Sequence, residues 1–187
     1  MNKDLTTRNN QYHGPSKLLT SNSVPVVGLG ASAGGLEAFM GFFDAMPADS
    51  GMAFVLIQHL DPDHKSLTAE LIAKHTSMPV QQINDQMRVE ANQVYVIPPN
   101  KNVSISQGVL LLTQPVQEHG QRSPIDLFFC ALADDQQENA ICAILSGTGS
   151  DGSLGLKAVK GWGGLVLAQS PETSQFDGMP CSALKTG

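Results

Sequence analysis

Ser32, His59 and Asp151 are the side chains of this sequence whose types and settings could together support nucleophilic catalysis. A serine hydroxyl is a poor nucleophile at neutral pH and needs a base to accept its proton. An imidazole can accept that proton, and a carboxylate behind it fixes the tautomer and stabilises the imidazolium. Residues 30–34 read GASAG and fit G-x-S-x-G, the turn that presents a serine between a strand and a helix. The pattern indicates acyl-transfer chemistry.

The same glycine-rich turn also fits a second template. Gly28, Gly30 and Ala33 satisfy the loose dinucleotide-binding fingerprint G-x-G-x-x-G/A, in which the turn holds a phosphate. Such a site calls for an acidic residue at the end of the second strand, where it would bind the ribose hydroxyls. Gln58 and His59 stand at that position. A dinucleotide-binding oxidoreductase is therefore the weaker alternative.

Each residue of the proposed catalytic group also has an ordinary structural interpretation. Ser32 and Asp151 could be helix N-caps, and His59 could be a hydrogen-bonded histidine of the core. The order along the chain is also unusual, because α/β-hydrolases place the acid before the histidine and no histidine follows Asp151. His119 comes last and stands in a polar loop, where a solvated side chain is the expected role.

A metal site is a third interpretation of the residues around His59. Its four candidate ligands belong to one short loop, namely His59, Asp61, Asp63 and His64. Their spacing matches no known metal-binding signature, and such signatures are more regular than this. We therefore expect no metal.

The elements that must position these residues alternate between strands and helices. The predicted strands cover residues 24–29, 52–57, 94–97, 140–145 and 164–168, with a hairpin at 103–105 and 109–112, and the predicted helices cover 35–46, 66–75, 124–134, 153–160 and a short stretch before residue 187. Buried positions include Leu67 and Leu127. This alternation predicts an α/β fold: a single doubly wound, mostly parallel sheet with helices on both faces and one antiparallel hairpin. Since ligands bind beyond the carboxyl ends of parallel strands, the three polar residues should meet at one sheet edge.

Composition excludes several classes of function. The formal net charge is −6 and no Lys/Arg cluster is present, which argues against a nucleic-acid partner. No apolar run is long enough to insert into a membrane.

The three cysteines form no C-x-x-C pair, as in a reduced cytoplasmic protein, and Cys130 and Cys142 are expected in the core. Residues 1–23 are polar and are predicted to be a flexible leader or linker, with the catalytic domain at 24–187.

Five motifs, taken together and in order, resemble the CheB-type protein-glutamate methylesterase domain of bacterial chemotaxis, above all the versions fused to a methyltransferase domain. The motifs are GLGASAGG at 28–35, IQHLDP at 57–62, VYVIPP at 94–99, LSGTGSDG at 145–152 and GMPCSA at 178–183. The resemblance implies hydrolysis of γ-glutamyl methyl esters on the cytoplasmic helices of chemoreceptors, and in some members deamidation of glutamine. It implies Ser32, His59 and Asp151 as the catalytic residues, no cofactor or metal, a cytoplasmic location, and a methyltransferase domain as a further partner.

An esterase of this kind also needs backbone donors for the oxyanion of the intermediate. The amide after the nucleophile, from Ala33, and an amide of the 147–149 turn are the candidates, so the predicted oxyanion and substrate-binding residues are Ala33, Gly34, Thr148 and Gly149. Family members usually continue past the last glycine with a strand and a helix, and the chemotaxis regulators carry a receiver domain, so we expect both to be missing from this sequence. A non-catalytic module that binds receptors or a methyltransferase is the alternative function.

Overall fold

A computed structural model describes residues 24–59, 67–115 and 122–187 of the chain. The predicted leader at 1–23, the candidate metal ligands Asp61, Asp63 and His64, and His119 lie outside the described residues. The strands are β1 Val26–Ala31, β2 Ala53–Gln58, β3 Val80–Gln82, β4 Met87–Arg88, β5 Gln93–Val96, β6 Asn102–Ser106, β7 Val109–Thr113, β8 Ile141–Ile144 and β9 Leu165–Ala168. The helices are α1 Gly35–Ala45, α2 Thr68–Ile72, α3 Pro124–Gln136, α4 Ser153–Gly161 and α5 Gly178–Leu184.

The main sheet has six strands in the order β3-β5-β2-β1-β8-β9, and every neighbouring pair in it is parallel. Its central strands β1 and β2 are buried almost throughout, as strands covered by helices on both faces must be. The predicted parallel α/β architecture is confirmed. Strand β3 was not predicted, because three partly exposed residues give no periodic signal.

The predicted antiparallel hairpin is confirmed as β6 and β7, but it does not extend the main sheet. It forms a separate three-stranded sheet in the order β4-β7-β6, with both pairs antiparallel. The third member, β4, is only two residues long and was not predicted from the sequence. Helix α3 packs against β6, so the small sheet is attached to the same face of the main sheet as this helix.

Helices cover both faces of the main sheet and give it two hydrophobic layers. On one face Phe39 and Phe43 of α1 pack with Phe54 of β2, and the rings of Phe43 and Phe54 meet edge to face at 5.5 Å. On the other face Phe128 and Phe129 of α3 are fully buried against the sheet. The predicted arrangement of helices is therefore confirmed, and within the described residues no helix has the length and hydropathy needed to cross a bilayer.

Two leucines predicted to be buried are exposed instead. Leu67 is 53% exposed because it precedes the first residue of α2, and Leu127 is 42% exposed. The buried positions of α3 follow a three-and-four spacing that leaves Leu127 on the outer side of the helix. Of the cysteines, Cys142 is buried, which raises the pKa of its thiol well above 9.0 and suits a structural role, whereas Cys130 is half-buried.

Strand β1 ends two residues later than predicted, at Ala31, and this changes the role of its glycines. A Cβ atom on Gly28 would lie 2.9 Å from the ring of Phe129, and one on Gly30 would lie 2.5 Å from Ile125. Both glycines therefore allow α3 to pack closely against the strand. Since they lie within the strand and face a helix, they form no loop that could hold a phosphate, contrary to the dinucleotide-binding interpretation.

Candidate active site

Ser32 is the first residue after β1 and lies in a tight turn that leads into α1. Its backbone amide donates to the Ser146 carbonyl at 3.0 Å, and its own carbonyl accepts from the Gly35 amide at 2.9 Å. Gly34 has a φ of 67° and is the N-cap residue of α1, a left-handed conformation that favours glycine. The N-cap interpretation of Ser32 is therefore wrong, and its hydroxyl remains available for other contacts.

His59 lies beside Ser32 because β1 and β2 are neighbours in register, with Ala31 paired to Gln58. Its Nδ1 atom lies 3.3 Å from Ser32 Oγ, and its Nε2 atom lies 2.7 Å from Asp151 Oδ2. With the ring proton on Nε2, the imidazole donates to the carboxylate and turns the lone pair of Nδ1 toward the serine hydroxyl. The structure thus brings all three predicted residues into one chain of contacts, in a geometry suited to removing the serine proton.

Asp151 is held by a helix that is distant in sequence. Its side chain is only 7% exposed, and besides His59 it accepts from the Ile125 amide at 3.1 Å and the Asp126 amide at 2.9 Å. These are amides of the first turn of α3, where the helix dipole favours a negative charge. The N-cap of α4 is Gly152, so Asp151 does not cap the helix that follows it. It caps α3 instead, which fixes both carboxylate oxygens.

Asp126 makes a matching contact from α3 to α4, which the sequence did not predict. Its Oδ1 atom accepts from the Gly155 amide in the first turn of α4, at 2.8 Å. Amides of α3 thus bind Asp151, just before α4, and an amide of α4 binds Asp126 in the first turn of α3. Burial raises the pKa of Asp126 above its ordinary 3.8; the Gly155 hydrogen bond opposes this, and the nearby charge of Asp151 adds to it. The only sequence signal was an acid in the first helical turn, which is common in helices of every function.

The backbone donors predicted for an oxyanion lie on two turns that flank Ser32. Gly147 belongs to the predicted 147–149 turn, but its amide donates to the Phe176 carbonyl at 2.9 Å and is therefore not available to an oxyanion. The amides of the predicted residues have no acceptor within the part of the chain that the structure describes: Ala33, Gly34, Thr148 and Gly149. These four remain able to donate to a bound group.

A cavity of about 210 Å³ adjoins His59. His59 and Gln58 line it from the sheet, and Lys101 and Arg122 bring two positive side chains to its wall. The Arg122 guanidinium donates to Asn100 Oδ1 at 2.8 Å, which orients it. Across residues 24–59, 67–115 and 122–187, no three metal-binding side chains come together.

A family model and a named relative point to the same family. The family model described as CheB methylesterase matches residues 27–187. A protein of Burkholderia orbicola named protein-glutamate methylesterase/protein-glutamine glutaminase 3 is 35% identical over 184 residues, which cover 98% of this chain and 54% of the relative. An uncharacterised 104.1 kDa protein of Rhodobacter capsulatus is 42% identical over 119 residues, which cover 64% of this chain and 12% of that protein.

One solved structure shows the same fold. The crystal structure of the CheB methylesterase catalytic domain of Thermotoga maritima superposes with a TM-score of 0.77, covers 88% of this chain and 89% of its own, and is 24% identical in sequence. The chain spans about half the length of the Burkholderia relative, so its similarity concerns one part of that longer protein.

Proposed function

This chain belongs to the CheB methylesterase family, and from that premise we propose that it hydrolyses γ-glutamyl methyl esters of chemoreceptors with Ser32, His59 and Asp151. The observation that supports this most directly is the contact of His59 with both other residues, at 3.3 Å and 2.7 Å. The relatives carry the matching name, protein-glutamate methylesterase/protein-glutamine glutaminase.

In the proposed reaction Ser32 Oγ attacks the ester carbonyl while His59 Nδ1 accepts the hydroxyl proton. The tetrahedral intermediate then collapses, and the bond between the carbonyl carbon and the methoxy oxygen breaks. His59 delivers the proton to the methoxy oxygen, so that methanol leaves and the acyl group remains on Ser32. A water molecule repeats the sequence on the acyl-serine, with His59 again acting as base. The products are the glutamate carboxylate, methanol and free Ser32.

The remaining groups act on charge that develops during this reaction. Asp151 keeps the proton of His59 on Nε2 and stabilises the imidazolium, and its own bonds to α3 prevent it from turning away. The intermediate's oxyanion would bind amides from the two flanking turns, from Ala33 or Gly34 on one side and from Thr148 or Gly149 on the other. Losing one such donor typically lowers the rate about a hundred- to a thousand-fold.

The wider assignments follow from the family and are part of the same proposal. Residues 24–187 form the catalytic domain, the substrate is a cytoplasmic helix of a methyl-accepting chemoreceptor, and the protein acts in the cytoplasm. A chemotaxis methyltransferase domain is a further partner. The same acyl chemistry on a glutamine side chain would release ammonia in place of methanol, which gives glutaminase as a second activity of the site.

The test is methanol release from a methyl-labelled chemoreceptor fragment. The intact protein should release labelled methanol, Ser32→Ala should release none, and Ser106→Ala, an exposed serine of the small sheet, should match the intact protein. Circular dichroism should show both variants folded. Turnover by Ser32→Ala at the intact rate would refute the serine mechanism, and receptor binding with no methanol from any variant would identify a non-catalytic binding module.

A further inference from the structure

Ser146 is a buried polar residue at the centre of the site for which the reaction described above has no use. It is 1% exposed and follows β8, directly behind the turn that carries Ser32. All of its polar atoms are bonded inside the protein: its amide donates to Gln169 Oε1 at 2.9 Å, and its carbonyl accepts from the Ser32 amide at 3.0 Å. A buried hydroxyl is unfavourable unless it is paired, so its contacts indicate what it holds together.

The Ser146 hydroxyl joins two segments that do not otherwise share a secondary-structure element. It donates to the Ala33 carbonyl at 2.9 Å and accepts from the Phe176 amide at 3.0 Å. Phe176 belongs to the loop between β9 and α5, and its carbonyl accepts from the Gly147 amide. This loop is therefore held at Phe176 by two hydrogen bonds, one to the Ser146 hydroxyl and one from the Gly147 amide.

The bond to Ala33 determines the orientation of a predicted oxyanion donor. The Ala33 carbonyl and the Gly34 N–H belong to one planar trans peptide, in which they point in opposite directions. Holding the carbonyl toward Ser146 therefore fixes the direction of the Gly34 N–H. The loop also packs against this peptide, since a Cβ atom on Gly34 would lie 2.6 Å from Gln175 Oε1 and 2.7 Å from Ser146 Oγ.

We propose that Ser146 is a positioning residue whose hydroxyl locks the Ala33–Gly34 peptide and the Phe176 loop into the arrangement that stabilises the transition state. The inference rests on the proposed esterase function, and it assigns to this hydroxyl no contact with the substrate. A preorganised donor contributes mainly to the transition state, so its misalignment lowers kcat more than it changes KM. A hydroxyl that only stabilised the fold would affect neither constant in a variant that remains folded.

The experiment compares Ser146→Ala with Ser174→Ala, using the intact chain and methyl-labelled receptor. Ser174 is the matched control, because its hydroxyl donates to the Ser170 carbonyl at 3.0 Å in the same loop and holds nothing near Ser32. We expect Ser146→Ala to lower kcat about 10- to 100-fold with KM within about threefold of the intact protein. Ser174→Ala should change neither constant by more than about twofold.

Amide hydrogen exchange gives a second readout that does not depend on activity. In Ser146→Ala the Phe176 amide loses its acceptor and should exchange at least about tenfold faster, while amides of β1 keep their protection. If the wild-type protein released no methanol, the esterase function would fail, and exchange at Phe176 would still report whether the hydroxyl fastens the loop.

Ser146→Cys covers the case in which the alanine variant does not fold. The thiol nearly preserves the volume of the side chain but is a weak hydrogen-bond donor and acceptor, so the same fall in kcat is expected. A folded Ser146→Ala or Ser146→Cys with wild-type kcat would overturn the proposal. So would a loss confined to KM, or unchanged exchange at Phe176.

Discussion

Replacing Asp151 with asparagine removes one negative charge and one hydrogen-bond acceptor from the candidate active site. The native carboxylate accepts three hydrogen bonds: from His59 Nε2 at 2.7 Å, from the Ile125 amide at 3.1 Å and from the Asp126 amide at 2.9 Å. One oxygen serves His59 and Ile125, and the other serves Asp126. An asparagine has one oxygen and one NH₂ group, so it cannot accept on both sides.

Each orientation of the asparagine amide leaves a backbone donor opposite another donor. If the NH₂ group faces Asp126, that amide of the first turn of α3 is unpaired. If it faces Ile125, the amide of Ile125 is unpaired, and the NH₂ group then donates to His59 Nε2. His59 must in that case carry its proton on Nδ1, toward Ser32, where it cannot act as a base. An unsatisfied buried donor costs about 1–3 kcal/mol, so we expect a loss of that size in the free energy of unfolding.

The effect on activity should be larger than the effect on stability. In serine proteases the same change leaves the geometry in place and lowers kcat about 10⁴-fold through the wrong tautomer. Here the wrong tautomer arises in one orientation of the amide, and the charge that stabilises the imidazolium is lost in both, so we expect a fall of about 10³- to 10⁴-fold. Urea unfolding measures the first quantity and methanol release the second. Asp44→Asn is the matched control, because Asp44 contacts His75 Nδ1 at 2.9 Å on the surface, in the last turn of α1 and at the opposite end of that helix from Ser32. It should change the unfolding free energy by less than about 1 kcal/mol.

A kcat within about tenfold of the intact protein would refute the role of Asp151 in orienting His59. Unchanged stability with lost activity would show that neither amide of α3 is left unpaired, and the loss of the Asp151 charge would then account for the fall in kcat. If Asp44→Asn proved as harmful as Asp151→Asn, the loss would reflect any Asp–His pair and not this site.

The other substitutions follow from contacts of single residues. Gly147→Ala should abolish methanol release and destabilise the fold by about 1–3 kcal/mol, because its Cβ would overlap the sulfur of Met179 and press on the turn of the nucleophile. Gly41→Ala, whose Cβ meets nothing within 4 Å on the surface of α1, should stabilise by about 0.5–1 kcal/mol in thermal unfolding. Phe54→Ala should cost about 3–5 kcal/mol in urea unfolding because it empties a fully buried position. The free energy of unfolding of Asp126→Asn, relative to that of the intact protein, should be more favourable at neutral pH than at pH ~3.5. Burial raises the pKa of Asp126, so the native carboxyl stabilises the fold less as pH rises from the ordinary pKa of 3.8 through the folded pKa.

Each of these has a result that contradicts it. An active Gly147→Ala would show that the turn next to Ser32 can move without loss of activity. A destabilised Gly41→Ala would show that a methyl group at this position meets a neighbouring atom. A loss below about 1 kcal/mol in Phe54→Ala would mean that the layer of α1 collapses to fill the space. A stability difference between Asp126→Asn and the intact protein that did not change with pH would show that burial does not raise the pKa of Asp126.

The order of elements could be predicted because long buried segments carry a periodic signal. Strands β1, β2, β8 and β9 and helices α1, α3 and α4 were expected within a few residues of their observed bounds. The short strands β3 and β4 could not, because they contain three and two residues and are positioned by their neighbours. Leu127 was misplaced because helical spacing allows more than one inward face until the contacts of α3 are known.

The three candidate catalytic residues were predictable because each stands at or soon after a strand end, where polar side chains have no part in the core. Their roles remain predictions. The partners that hold them were not predictable, because Ser146 and Asp126 act through contacts across the fold. Ser146 resembles any serine of a glycine-rich turn, and its importance depends on burial and on the return of the chain at Phe176, thirty residues later.

The three residues are positioned by different means, and the acid depends most on tertiary packing. Ser32 and His59 follow adjacent paired strands, so the register of β1 with β2 places them directly. Asp151 comes seven residues after the end of β8 and is held by the amides of α3. Helix α3 is in turn fixed to α4 at close range, since a Cβ atom on Gly155 would lie 3.2 Å from the Asp126 carbonyl oxygen and also overlap Phe129. Disturbing the contact between α3 and α4 should therefore displace the carboxylate first, while the serine and the histidine keep their places on the sheet.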